Sequence, residues 1–316
     1  MRQTTLTRGR LADHPLWSRA LAAPGPTARV VRPVIVSARV EDRERVPDAP
    51  WLERLSITEL VRDARRAAAA GVGGLLLFGV SDRKDEQAML ASERDHVVTR
   101  AIHAVKDAAP DLAVATDVCV CAYTPHGQCV LFSDGAADVE RTLARLAEIA
   151  LVHADAGADL LIPSGMLDGA VRTLRSALAG AAHGAVPIAA MAKLESATYA
   201  SHRIAVEAVP IADRAVPLLD AGDRGAVRAR AARDVAQGAD AVVLKPGMAT
   251  LDLLGDVALA ADRPVISFFT ADEHALYFAN EVVHDAAAME QEGIAAARRA
   301  GADLVITYAE QGVADA

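Results

Sequence analysis

Short apolar runs recur along the chain at near-regular intervals. They are Arg32–Ala38, Gly73–Val80, Leu112–Val120, Ala158–Ser164, Val186–Lys193, Ala239–Lys245, Pro264–Thr270 and Ala302–Tyr308. Between them lie stretches rich in Ala, Arg, Leu and Glu, long enough for helices. In residues 136–156, Val139, Leu143, Leu146, Ile149 and Val152 recur at spacings of three and four, the period of an amphipathic helix. One phrase introduces three of the runs: Gly157-Ala-Asp159, Gly238-Ala-Asp240 and Gly301-Ala-Asp303; Gly71-Val-Gly73 stands in a similar place. A glycine there ends a helix in a left-handed cap before a strand begins. Strand and helix alternating eight times predict an α/β fold, a parallel (β/α)₈ TIM barrel. An open doubly wound sheet is the alternative, but no Gly-x-Gly-x-x-Gly follows the first strand to mark a dinucleotide site.

The 316 residues allow one large domain or two ordinary ones, and an apolar fraction of 52% with only 3% aromatics predicts a core of Ala, Val, Leu and Ile. A net charge of −9 argues against a nucleic-acid footprint. No apolar run is long enough for a membrane span, and the first residues lack a signal-peptide stretch, so the expected location is cytoplasmic. Residues 1–30 show no clear periodicity and read as an N-terminal arm outside a catalytic barrel of residues 31–316. Leu11, Trp17 and Leu21 in the arm need a surface to cover them.

Of 33 basic residues only four are lysines: Lys84, Lys106, Lys193 and Lys245. The first two lie in charged text and read as surface. Lys193 and Lys245 each end an apolar run. Arginine cannot replace a lysine that must lose its proton and attack a carbonyl, whereas a desolvated lysine can form a Schiff base. Either one taken singly is equally a strand-end lysine that snorkels to water. The barrel places chemistry at the carboxyl ends of strands. Asp117, Cys119, Ser164, Lys193, Lys245 and Tyr308 all fall there.

All three cysteines lie between Asp117 and Cys129, spaced Cys119-x-Cys121-x₇-Cys129. At i and i+2 on a strand, Cys119 and Cys121 share a face, and the Pro125-His126-Gly127 turn can return Cys129 to them. Three thiolates with an open fourth position suit a catalytic Zn²⁺. The alternatives are buried free thiols or an i, i+2 disulfide, which is badly strained. His126 reads as a loop or supporting residue.

Two strand-end lysines beside a three-cysteine loop on a barrel resemble the porphobilinogen synthase (δ-aminolevulinic acid dehydratase) family. The resemblance runs from about residue 30 to 309. It includes Leu77-Phe-Gly-Val80 with Lys84-Asp85, Thr116-Asp-Val-Cys-Val-Cys121, Pro163-Ser164 with Asp168-Gly169, Ala192-Lys193, Asp213-Arg214, Leu244-Lys-Pro-Gly-Met248 and Ile306-Thr-Tyr308. It implies a hydro-lyase of tetrapyrrole biosynthesis that condenses two 5-aminolevulinate molecules to a pyrrole with loss of two waters. Lys245 would hold the substrate that becomes the propionate side, and Lys193 the one on the acetate side. Zinc would sit on Cys119, Cys121 and Cys129, with magnesium as a further ion the resemblance allows. Asp117 matches a carboxylate near the lysines. Arg203, Arg214, Tyr199, Ser164 and Tyr308 match substrate-binding positions. The resemblance also implies a homo-oligomer built through the N-terminal arm, acting on a small amino keto acid.

The departures from the family pattern cluster at the same pocket. Pro-Ser-Asp-Met-Met-Asp-Gly-Arg reads here Pro163-Ser-Gly165-Met-Leu-Asp-Gly-Ala170. A glutamine four residues after Arg214 is Leu218. Tyr-x-Val-Ser-Gly-Glu reads Phe268-Phe-Thr-Ala271-Asp-Glu273, without its carboxylate-binding serine. New polar groups stand at Glu195, His202 and Asp272. Each lost hydrogen bond to a charged carboxylate costs roughly 1.5–3 kcal/mol. These losses allow a second reading, a paralogue that condenses a different amino ketone in specialised metabolism. A catalytically silent partner protein has no reason to keep both lysines and all three cysteines. A class I aldolase leaves the cysteine loop unexplained.

Overall fold

Eight parallel strands follow one another around a closed barrel. In this computed structural model, which describes residues 9–278 and 285–309, they are β1 (Val30–Ser37), β2 (Gly74–Val80), β3 (Ala113–Asp117), β4 (Leu160–Ile162), β5 (Ala189–Lys193), β6 (Ala241–Lys245), β7 (Val265–Phe268) and β8 (Leu304–Ile306). Each pairs with its chain neighbours, and β8 returns to β1 through Val30 opposite Val305. A parallel bridge from Leu161 to Ile188 joins β4 to the approach of β5 and closes the ring. That closure excludes the open doubly wound sheet. All eight expected strands are present, several of them shorter than their apolar runs. Ser164, Cys119 and Tyr308 therefore sit just beyond strand ends, on loops. The helix expected over 136–156 runs Val139–Asp155, with the Asp138 side chain accepting the Arg141 amide at its start. Residues 136–138 are instead a short strand paired with 131–133, and Val139 is exposed.

The repeated Gly-Ala-Asp phrase does more than end helices. At the amino end of the barrel each aspartate locks onto the first turn of a neighbouring strand. Its own N–H donates to a backbone carbonyl, and its carboxylate accepts that same residue's N–H. Asp159 pairs in this way with Val114, Asp240 with Ile188, and Asp303 with Val265, at 2.7 to 2.9 Å. The carboxylates of Asp159 and Asp240 are buried, and both are neutralised. Lys106 grips Asp159 at 2.9 and 3.0 Å, and Arg175 pairs with Asp240. Lys106 is thus a structural residue rather than the surface lysine expected. Lys84 differs from the expectation in the same way, since it is half-buried and donates to the Glu207 carbonyl.

The arm continues this end of the barrel. Helices Arg10–Asp13 and Pro15–Ala22 lie beneath it. Arg10 reaches Asp240 at 3.3 Å, His14 reaches Asp159 at 3.4 Å, and the Trp17 indole donates to the Asp159 carbonyl at 2.9 Å. Leu11, Trp17 and Leu21 are 0%, 0% and 6% exposed, so the surface that covers them belongs to their own chain. Residues 1–8 of the expected arm lie outside the described residues.

The opposite, carboxyl end carries the long connections. A hairpin (Arg43–Val46, Ala49–Leu55) follows β1 and pairs back onto it at Ile35–Arg54. Buried Arg54 then donates to the carbonyls of Ala205 and Ile204 at 2.8 and 3.3 Å. This holds the short helix Ala200–Ala205 at the barrel mouth. Asp272, in the first turn of the helix after β7 (Ala271–Phe278), accepts from both the hydroxyl and the amide of Ser201 and fixes the other end of the short helix.

Removing a buried, neutralised carboxylate strands its cations. Asp240→Ala should lower unfolding stability by about 3–5 kcal/mol. Asp111→Ala, whose pair with Arg19 is 82% exposed on the aspartate side, should change it by less than about 0.5 kcal/mol. Urea melts of both variants check the contrast.

Candidate active site

β5 and β6 run in register so that Lys193 and Lys245 are direct partners at the carboxyl end of the barrel. Both open into a cavity of about 750 Å³ including its mouth. Lys245 is 6% exposed. Its Nζ lies 3.8 Å from the centroid of the Phe268 ring and 5.4 Å from that of Tyr199. Burial lowers its pKa from 10.5 to about 7, and the like charge of Lys193 adds to the effect. A shift of that size disfavours the ammonium form by roughly 5 kcal/mol, so a neutral amine is available near pH 7.

Asp117 ends β3 on the same cavity. Burial raises its carboxyl from 3.8 to about 6 against the opposing pull of the Ser164 hydroxyl and Lys193, and its Oδ1 has no hydrogen-bond partner among the described residues. A carboxyl half-ionised near 6 with a free oxygen is placed to accept or return a proton.

The cysteines meet by a different route from the one expected. β3 stops at Asp117, Val120 adopts helical backbone angles, and Cys121–Tyr123 forms one 3₁₀ turn. Loop curvature, not strand alternation, brings the Cys119 and Cys121 sulfurs to 3.4 Å. Cys129 joins them, with all three sulfurs within 4.8 Å of one another. All three are free thiols, and Cys121 and Cys129 face the cavity. Hydrogen bonds from the other two thiols, with Lys193 and Arg203 nearby, hold Cys129 well below an ordinary thiol, while Cys119 is raised by donating. Three close sulfurs that open on the cavity fit a soft divalent ion such as zinc. Gly165 packs against this cluster. A Cβ there would lie 3.2 Å from the Cys129 Cβ, so a side chain at 165 would press on the sulfurs. Among the described residues no second set of three His, Cys, Asp or Glu groups is close enough to share an ion, which leaves the expected magnesium without a protein cage there.

His126 shapes the loop. Its Nδ1 accepts the Gln128 amide at 3.1 Å, and its ring stands edge-on to Phe132. Gly127 has φ +66°, and a Cβ on it would strike the Val209 carbonyl at 2.5 Å, so the turn needs glycine there. The neighbouring Gln128 side chain donates to the Asp213 carbonyl at 2.8 Å and accepts from the Ala215 amide. The cysteine loop therefore positions the Arg214 segment.

Of the remaining expected site residues, Ser164, Tyr199 and Arg203 line the cavity. The Tyr199 hydroxyl, however, donates to the Leu194 and Lys245 carbonyls, so only its ring faces substrate. Arg214 stands on the rim, 5.9 Å from the Tyr199 ring and beside Glu195 and Leu218 in a shallow depression. Tyr308 does not line the cavity. It lies behind His202, with its hydroxyl 3.2 Å from His202 Nδ1. His202 does face the cavity, edge-on to Phe78 at 4.5 Å, and burial together with Lys245 and Arg203 keeps it neutral. Sequence reading missed Tyr123, Phe78 and Met191 as cavity walls. Tyr123 sits two residues beyond Cys121, and its position in the cysteine loop was the available signal.

A closed barrel whose strand ends bring two lysines, a raised carboxyl and a thiol cluster to one pocket has the layout of a barrel lyase. Comparison with known proteins gives the family. A family model described as delta-aminolevulinic acid dehydratase matches residues 17–316. The delta-aminolevulinic acid dehydratase of Synechococcus elongatus is 36% identical over 273 residues, covering 84% of each chain. That of Macaca fascicularis is 34% identical over 309 residues, covering 93% of each. The crystal structure of the Toxoplasma gondii enzyme, in complex with the reaction product porphobilinogen, superposes with a TM-score of 0.86 at 26% identity, over 98% of this chain and 89% of that one. The chain belongs to the delta-aminolevulinic acid dehydratase family and is a dehydratase-type lyase. No described helix is long and apolar enough to cross a membrane.

The reactive form of Lys245 is the free amine, so its capture of a keto compound should increase as pH rises through about 7. Lys193→Met removes the like charge and should move that curve to higher pH. The rate of borohydride-trapped adduct on the Lys245 peptide, followed from pH 5.5 to 9, measures both (a span of roughly two units either side of a group near 7).

Proposed function

We propose that this protein joins two α-amino ketones into a pyrrole, with Schiff bases on Lys245 and Lys193, and that 5-aminolevulinate is the acidic substrate it takes. The observation that carries this is the register of the two lysines on β5 and β6 at one cavity, with Lys245 drawn to a neutral amine. Lys245 adds to the ketone of the first substrate, whose oxygen leaves as water, and a protonated imine remains. Lys193 does the same with the second, releasing the second water. The iminium withdraws electrons, so the adjacent CH₂ of the second substrate gives up a proton. Asp117 is the group assigned to receive it. The enamine carbon so formed attacks the imine carbon on Lys245 and makes the C–C bond. The first substrate's own amine then attacks the imine carbon on Lys193 and makes the ring C–N bond. Both lysines leave as free amines, and proton shifts from the ring carbons complete the pyrrole.

Arg203, with Arg214 at the rim, holds the carboxylate of the acidic substrate, and bidentate guanidinium pairing suits that task. Cys119, Cys121 and Cys129 would hold zinc, which when bound supplies a Lewis-acidic charge beside the second substrate. A reducing cytoplasmic setting suits three unpaired cysteines. Assembly is read as a homo-oligomer. With Leu11, Trp17 and Leu21 already covered under their own barrel, contacts between copies fall to other residues.

Zinc-loaded protein incubated with 5-aminolevulinate and then borohydride should carry adducts on the Lys193 peptide, and Lys193→Met should reduce pyrrole formation by about 10³-fold or more. An unmodified Lys193 and Lys245, with every amino ketone tried, would sink the proposal. Cys129→Ser should lose bound zinc, read by metal analysis, while keeping the fold by circular dichroism.

A further inference from the structure

The two halves of the cavity are chemically unlike. Cys129 lies under the charges of both Lys193 and Arg203, and Arg214 stands at the rim. The Lys245 side is walled by the rings of Phe268, Tyr199 and Phe78 and by His202. None of these four walls carries a cation to pair with a carboxylate. The Tyr199 hydroxyl is spent on two backbone carbonyls, and Tyr308 is turned onto His202 Nδ1. Residue 271, which opens the helix after β7, is a buried alanine with no hydroxyl to offer. Next to it Asp272, tied to Ser201, places a negative charge close to Tyr308.

The reaction itself tolerates this. In the condensation described above, the first substrate H₂N–CH₂–CO–R contributes its amine, its CH₂ and its ketone carbon to the ring, while R takes no part in any bond made or broken. The second substrate must supply the acidified CH₂ and keeps its carboxylate. Only the second half therefore needs cationic anchoring, and Arg203 lies close enough to Cys129 to supply it.

Resting on the function proposed above, we propose that the Lys245 half of the cavity selects an α-amino ketone whose side chain carries no carboxylate, with His202 and Phe268 as the specificity-determining walls, and that it is joined to an acidic amino ketone held at Lys193. The product is a mixed pyrrole that bears an acetate, an aminomethyl group and an uncharged R. Two waters are released, as in the symmetrical case.

The test gives zinc-loaded, full-length protein 5-aminolevulinate alone, then an equimolar mixture of 5-aminolevulinate with aminoacetone, in which R is methyl. Products are read by mass spectrometry over a no-enzyme background, and both lysine peptides are mapped after borohydride. The expected result is a mixed pyrrole, lighter than porphobilinogen by CH₂ plus CO₂, in about tenfold or greater excess over porphobilinogen. Lys245 should carry the aminoacetone adduct and Lys193 the aminolevulinate adduct. Porphobilinogen as the chief product, with aminolevulinate on both lysines, overturns this inference and leaves the proposed function standing. Absence of any adduct on either lysine overturns both. Asp272→Asn keeps a partner for Ser201 but removes the charge, and it should shift the product ratio toward porphobilinogen. That ratio is internal to each sample, so partial loss of folded protein does not alter it. An unchanged ratio removes Asp272 from the argument and counts against the inference.

Discussion

A lysine amine held where water hardly reaches, in register beside a second lysine, is the constraint around which the rest of this molecule is arranged. The Lys245 ammonium is costly in such a place, and the like charge of Lys193 makes it costlier. An uncharged amine is the form the proposed attack on a carbonyl needs. The aromatic ring 3.8 Å from the Lys245 Nζ plays a double part. It excludes water, which pushes the proton off, and its face offers residual attraction to whatever cation remains, including an iminium.

Rigidity for that arrangement comes from the far end of the barrel. The three Gly-Ala-Asp latches tie alternate strand entrances with paired backbone and carboxylate bonds. Two of them are neutralised from the barrel helices, and the arm adds Arg10 at Asp240 and a His14 contact to Asp159 at 3.4 Å. Stability and chemistry are thus separated along the barrel axis. The latch aspartates Asp159 and Asp240 at the amino end are paired with cations, while at the carboxyl end an orphaned Asp117 oxygen and a partly deprotonated lysine remain for substrate. The connections above the mouth add the second kind of order. Arg54, Asp272 and Gln128 each reach across loops to fix segments that carry His202, Arg203 and Arg214.

Membership of the dehydratase family fixes the reaction type, and the pocket lining bears on what it is applied to. Polar groups that differ from the family pattern do not behave alike. Asp272 is a strut between two helices, Glu195 stands at the exposed rim, and His202 alone enters the cavity. The same three residues, equal in the sequence as unexplained departures, are separated in weight by position.

The sequence by itself determined the barrel, because eight apolar runs with helical text between them leave few other ways to bury that surface. It also exposed Lys193, Lys245 and the cysteines, because a chain that writes Arg for almost every positive charge marks its exceptions. It placed strand ends too late where apolar text ran on into loops, as at Cys119 and Tyr308. Only the tertiary structure decided which way side chains turn once the strand ends. It turned the Tyr199 hydroxyl and Tyr308 away from the cavity and His202 toward it, put the arm's Trp17 under its own barrel, and gave Lys106 and Lys84 structural partners. Those outcomes depend on contacts between residues far apart in the chain, such as His202 with Tyr308 and Asp159 with Trp17. Local pattern records the period of a strand or helix but carries no information about which distant group arrives beside it.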